Sequence, residues 1–144
     1  VTEHQPCELC QGTGGTMLWQ DGRCRVVLVA DADYPGFCRV IWTEHVKEMT
    51  DLDETERLHL MSIVFATEHV IRTVMNPDKI NLASLGNMTP HLHWHVIPRF
   101  EHDPHFPQPV WATRLRDADA TWHHEALLPR LKQALIHLLG QPTS

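Results

Sequence analysis

The sequence lacks the marks of several protein classes. No apolar run in its 144 residues is long enough to cross a bilayer, so no membrane partner is expected. It has no basic excess: 12 lysines and arginines stand against 18 acidic residues, for a formal net charge of −6. That argues against a protein built to neutralise the backbone of a nucleic-acid polymer, though not against a small local phosphate site. Four cysteines, at positions 7, 10, 24 and 38, do not form the dense framework of a small secreted domain. The opening VTEHQPCELC has neither the basic nor the apolar segment of a secretory leader, so a reducing cytoplasm is the expected location. Internal repeats and low-complexity linkers are also lacking.

With 42% apolar and 21% charged residues, the chain has enough apolar side chains for one compact core. A single domain over residues 1–144 is expected. Strands are expected at 17–19 and 24–30, around the hairpin signal Asp21-Gly22, and at 37–42. Asp53 followed by Glu56 reads as a capping box. It opens a helix whose apolar face carries Leu60, Val64, Ile71 and Met75, with Met61 and Phe65 beside it, and Pro77 stops the helix. Further strands are expected at 80–85 and 91–98, then an irregular stretch at 101–124. A last helix is expected at about 128–139, with Pro129 in its first turn and Gly140 past its end. Strands, a helix, more strands and a final helix indicate an α+β fold with an antiparallel sheet.

Twelve histidines is a high count for this length, and three of them fall in one pattern, PHLHWHVIPR at 90–99. Side chains alternate along a strand, so His91, His93 and His95 are expected on one face and Leu92, Trp94 and Val96 on the other. Three imidazoles side by side would be wasteful packing, because each needs hydrogen-bond partners and together they resist protonation. Two chemistries suit them. Alternate histidines can ligate a catalytic zinc with an open position. Alternatively, a neutral imidazole can act as a nucleophile near pH 7, oriented by its neighbours.

His91-Leu92-His93-Trp94-His95-Val96-Ile97 resembles the signature of the histidine-triad (HIT) superfamily, a histidine alternating with apolar residues. The similarity runs over roughly residues 7–111. It includes Cys7-Glu8-Leu9-Cys10, Pro35-Gly36, Trp42-Thr43-Glu44-His45, Asn81 and Gly86-Asn87. The stretch from Phe106 through Trp111 looks like a bacterial branch of diadenosine-tetraphosphate-hydrolase-like proteins. The resemblance implies a HIT-like fold with a five-stranded sheet, one long helix and a C-terminal helical extension.

It further implies that His93 attacks the α-phosphorus of a dinucleoside polyphosphate or phosphoramidate, forming a nucleotidyl-histidine that water or another acceptor resolves. His95 would contact the phosphate and assist the leaving group, and the His91 carbonyl would fix the His93 tautomer. Gly86, Asn87 and Thr89 would lie near phosphate oxygens, with Asn81 nearby and a sugar-binding acid near Asp31. No catalytic cofactor is required. Cys7 and Cys10 have zinc-ligand spacing but are not a site alone. In zinc-bearing members, residues placed like His45 and His91 complete a closed, structural set. A homodimer is also implied.

The sequence departs from many relatives at Phe37, where they carry histidine, at Asn87, where they carry glutamine, and at Met88, where they carry serine or threonine. Cys24 and Cys38 read as packing residues. Arg99 reads as a surface ion-pair residue, and His102, His105, His123 and His124 as solvated. Trp111 and Trp122 suit base stacking, a dimer interface or plain packing. Two competing functions remain open: a hydrolase with His91, His93 and His95 on one zinc, and a non-catalytic nucleotide-binding protein.

Overall fold

The computed structural model describes residues 6–118 and 121–144. Its strands are β1 (Thr16–Gln20), β2 (Cys24–Leu28), β3 (Cys38–Trp42), β4 (Lys79–Ala83) and β5 (His93–Arg99). Its helices are α1 (Glu8–Gln11), α2 (Glu54–Met75) and α3 (His124–Leu139), with a 3-10 turn at Met49–Asp51. The strands form one antiparallel sheet in the order β1-β2-β3-β5-β4. This is the α+β class read from the sequence, with the long helix and the C-terminal helix both present.

Local chemistry sets the turns. Asp21 Oδ1 accepts from the backbone N–H groups of Arg23 (2.8 Å) and Cys24 (2.9 Å), closing the β1–β2 hairpin. Asp53 accepts from the Glu56 N–H at 2.8 Å, while Glu56 Oε1 accepts from the Asp53 N–H at 2.9 Å. Two backbone donors at the start of α2 are thereby satisfied. At its other end Asn76 takes the left-handed conformation (φ 49°), and Pro77 prevents continuation. Gly36 has φ +86°, and a Cβ there would collide with Met75 Sδ, so the turn into β3 needs glycine.

The two faces of the sheet differ. Cys24, Val26, Leu28, Cys38, Val40, Trp42 and Val96 pack in one core with Leu60, Ile63, Val64, Ile71 and Met75 of α2 and Leu127, Leu131 and Leu135 of α3. Arg25, Val27, Arg39, Ile41, His93 and His95 alternate with these and belong to the other face. There α1 lays Leu9 on Val27 and Ile41.

Several expectations need correction. The triad strand begins at His93, not His91: His91 N donates to Thr89 O and Leu92 N to Val46 O, both 2.8 Å, while only the Leu92 carbonyl still bonds to β3, accepting from Trp42 N at 3.1 Å. The second strand stops at Leu28 rather than Ala30. Helix α3 starts at His124, so Pro129 lies inside it rather than in its first turn. Leu127 and Leu131, four apart and fully buried, hold that turn despite the missing N–H. Phe65 is turned outward and is 54% exposed. Among the described residues, 101–118 and 121–123 are irregular as expected; 119 and 120 lie outside the described residues.

Candidate active site

His93 sits on β5 opposite Ile41 of β3, and His95 sits opposite Arg39. The two imidazoles meet nearly at right angles (86°), with centroids 4.9 Å apart. His93 Nδ1 donates to the His91 backbone carbonyl at 2.5 Å. That bond fixes the tautomer and leaves the Nε2 lone pair as the reactive position. His93 is 7% exposed, and burial leads the causes that lower its pKa below the usual histidine value, the Arg39 charge adding to it. His95 is pushed down to about 4 by burial first, then by His93 and Arg39. Both rings are therefore neutral near pH 7. His95 Nδ1 is buried with no hydrogen-bond partner.

His91 does a different job from the one its spacing suggests. Its Nε2 donates to the Trp42 carbonyl at 2.6 Å. Its Nδ1 lies 3.3 Å from Cys7 Sγ, 3.4 Å from Cys10 Sγ and 3.3 Å from His45 Nδ1, and Cys10 Sγ is 3.4 Å from His45 Nδ1. With Nε2 donating, a neutral His91 has one lone pair at Nδ1, and it cannot serve two thiols and a second imidazole together. Four ligand atoms, all within 4.8 Å of one another, thus face a common point. A tetrahedral zinc with bonds of about 2.0–2.3 Å sets its ligands roughly 3.3–3.8 Å apart, so these residues fit that ion. His93 and His95 belong to no such cluster among the described residues.

A second group, Asp21, Cys24 and His59, also lies within ligand distance. Its polar contacts are already used: Asp21 closes the hairpin and accepts from His59 at 2.7 Å. Burial pushes the Cys24 thiol far above its ordinary pKa. Cys24 and Cys38 are packing residues, as read from the sequence.

A cavity of about 350 Å³ reaches His93, and Lys47, Gly86 and His91 are among its other walls. A larger one, about 940 Å³, follows the free edge of β4 past Asn81, Arg99 and Trp111 and touches none of the triad histidines. The smaller touches His91 and His93 but not His95, Arg39 or Phe37. Of the other expected site residues, Asn87 is exposed and Thr89 half-buried on the loop before the triad. Asn81 is on the histidine face of β4, opposite Ile97, with its Oδ1 accepting from Arg99 Nη1 at 2.8 Å. Asp31 is exposed in a different hollow, beside Trp122 and His123.

Arg99 is no surface residue. It is 3% exposed, grips Asp103 through Nε (2.8 Å) and Nη2 (3.1 Å), and lies over the Tyr34 and Phe106 rings. His105 is likewise buried, against the Tyr34 hydroxyl, rather than solvated. Trp122 packs against the core, while Trp111 is 60% exposed. Sequence reading also passed over Ser84, whose hydroxyl donates to the His93 carbonyl at 3.2 Å, and Arg39. Period-two alternation along β3 places Arg39 on the histidine face and was the signal available for it.

A five-stranded antiparallel sheet carrying alternating histidines, the central one tied to the carbonyl of the first, defines a histidine-triad architecture. The family comparison agrees: the HIT domain matches residues 13–102, and the chain belongs to that family. An AP-4-A phosphorylase from Mycobacterium tuberculosis is 32% identical over 78 residues, half of this chain and 40% of that protein. The chain thus matches well under half the length of that curated relative. A histidine triad protein from Marinobacter aquaeolei superposes with a TM-score of 0.75 at 26% identity, covering 93% of this chain and 97% of that one. One from Bradyrhizobium japonicum gives 0.74 at 26%, covering 85% and 92%. A Zn-bound histidine triad family protein from Mycobacterium smegmatis shares the fold at 0.65 and 20% identity, covering 92% and 94%.

Proposed function

We propose that this chain is a nucleotide-processing enzyme, a hydrolase or nucleotidyl transferase acting at the α-phosphorus of a dinucleoside polyphosphate or nucleoside phosphoramidate. One observation carries the reading: His93 Nδ1 is bound to the His91 carbonyl, so a neutral Nε2 faces outward beside His95. In the first step the His93 Nε2–P bond forms and the bond from phosphorus to the leaving group breaks. The leaving group departs with a proton relayed by His95. In the second, water or another acceptor attacks phosphorus, releases His93 and gives up a proton to the same relay. A phosphate next to His95 opposes the burial that holds its pKa low and lets it take up the proton it must pass on. The Gly86–Thr89 loop is the proposed source of donors to the phosphate oxygens. Asn81 shares the histidine face, opposite Ile97 and two positions from the residue that faces His95, and stays a proposed substrate contact, whereas Asp31 lines a separate hollow.

Cys7, Cys10, His45 and His91 are proposed as a structural zinc site. Bound there, the ion would brace the residue whose carbonyl holds the nucleophile; all four positions are protein ligands, so no open position is left for catalysis. A zinc shared by His91, His93 and His95 does not suit this arrangement, since His91 Nε2 is taken by Trp42 and its Nδ1 turns to the cysteines. A second copy of the chain is the proposed partner. It would pair along the free edge of β4, where Leu85 is exposed, and against Leu58 and Phe65 of α2. Those last two are seven residues apart and lie on one outward stripe.

The test is AMP release from adenosine phosphoramidate and diadenosine tetraphosphate by wild type and His93→Ala. Release that falls at least roughly a thousandfold in the variant, with adenylated wild-type protein trapped by rapid quench and seen by mass spectrometry, is expected. Nucleotide binding without turnover in wild type would instead leave a non-catalytic binding protein.

A further inference from the structure

Arg39 is the charged residue on the triad face that the fold itself does not explain. It projects from β3 directly across from His95. Its guanidinium carbon lies 6.0 Å from the centre of the Phe37 ring. Phe37 in turn stands edge-on to His95 at 5.5 Å, and His95 edge-on to His93 at 4.9 Å. Arg39, Phe37, His95 and His93 therefore form one continuous group ending at the proposed nucleophile.

Arg39 is only partly committed. Nη1 donates to the Gly14 carbonyl at 3.0 Å, while Nε is buried with no partner. None of the ion pairs among the described residues includes it, the Glu8 charge acting on it only from beyond ion-pair distance. Arg25, on the same face, is the instructive contrast. It donates to the carbonyls of Leu9 (2.7 Å), Gly12 (3.0 Å) and Thr13 (2.9 Å) and so anchors the N-terminal segment. Holding one carbonyl needs no cation, and placing an unpaired guanidinium beside two imidazoles carries a cost in partial burial. An anion arriving at His93 would remove that cost. The planar fork of donors suits phosphate oxygens, and the negative charge would pair with the Arg39 cation.

We infer that Arg39 is a substrate-binding residue: with Phe37 setting its position, its guanidinium receives the phosphate that His93 attacks. This rests on the nucleotide reading above but is separable from it. It gives Phe37 a role as well, since an apolar ring there shields Arg39 and His95 without adding a third titrating imidazole to the row.

Calorimetric titration with AMP and with adenosine, on wild type and Arg39→Met, tests the assignment. AMP affinity should fall roughly tenfold to a hundredfold, the range of a charge-assisted hydrogen bond, while adenosine affinity changes less than about threefold. Arg39→Lys should recover part of the loss, because it restores the charge without the fork. Should Arg39→Met fail to fold, Arg39→Gln, whose amide can still donate to Gly14, carries the same comparison. Equal losses for the two ligands would make Arg39 a reader of the nucleoside, and no loss would make it a scaffold residue; either overturns the inference, as does a wild type that binds no AMP. A wild type that binds AMP but releases none from diadenosine tetraphosphate would sink the enzymatic reading and leave this one standing.

Discussion

The two faces of one sheet are built from the same strands by opposite rules. Toward α2, residues 24, 26, 28, 38, 40 and 42 are apolar or thiol side chains, and every one is buried. Toward the other side, β2, β3 and β5 present Arg25, Arg39, His93 and His95 beside the buried Val27 and Ile41. The first face gains stability from burial, at about 1.5–3 kcal/mol per large side chain. The second holds two of the three buried polar atoms without a partner among the described residues, Arg39 Nε and His95 Nδ1, and the first holds the other, Trp42 Nε1. Such groups lower stability and persist where a ligand completes them. Damage to the α2 face should therefore cost folding, and damage to the histidine face should cost chemistry.

The sharpest break of that contrast on the core side is Leu60→Ala. Leu60 is fully buried between α2 and the sheet. Its truncation should cost about 2–5 kcal/mol of unfolding free energy by chemical denaturation. Activity per folded molecule should be unchanged, because Leu60 touches nothing on the histidine face. A large fall in activity with unchanged stability would show that the two faces are not independent.

Most of the fold could be read from the sequence because its signals are local. The Asp53/Glu56 box, the Asp21-Gly22 turn and the alternation of β2 and β3 each act within a few residues. The histidine pair was legible for the same reason. What escaped depends on long-range partners. Arg99 looked like a surface ion-pair residue because Asp103, four residues on, gives no sign of burial, and Tyr34, which covers the guanidinium, comes from far away in sequence. His91 looked like a strand residue because period two continues through it, yet Trp42, from another strand, and the cysteines of the N-terminal segment decide its orientation. Pro129 looked like a helix start until burial of Leu127 carried the helix past it.

A smaller effect is expected at the link between the two regions. Cys10→Ser removes one of four proposed zinc ligands on the exposed rim of the cluster. Zinc content by atomic absorption should drop from about one per chain, and affinity should fall at least tenfold to a hundredfold, the loss typical even of outer-shell partners. The midpoint of thermal unfolding should fall with it. Unchanged metal content in the variant, or none in wild type, would reject the site. His91 Nδ1 belongs to the cluster while the His91 carbonyl receives His93, so the same variant should lower turnover more than substrate affinity.

The smallest effect, and the most direct reading of the histidine face, is the pH dependence of stability. His95 has a folded pKa of about 4, against about 6.5 for an ordinary histidine. The unfolded chain therefore takes up a proton at this position first. Between pH 6.5 and 4 it binds more protons than the folded chain, so stability at this site falls as pH falls through that window and is flat above it. Because the ring is only partly shielded, the loss is roughly 1–3 kcal/mol rather than the full value of the shift. His95→Asn should remove that part of the slope when denaturation is followed from pH 7 to pH 5. An identical slope in the variant would mean that His95 is as readily protonated in the folded chain as in water. The neutral histidine face, on which both the proposed nucleophile and the proposed relay rest, would then lose its basis.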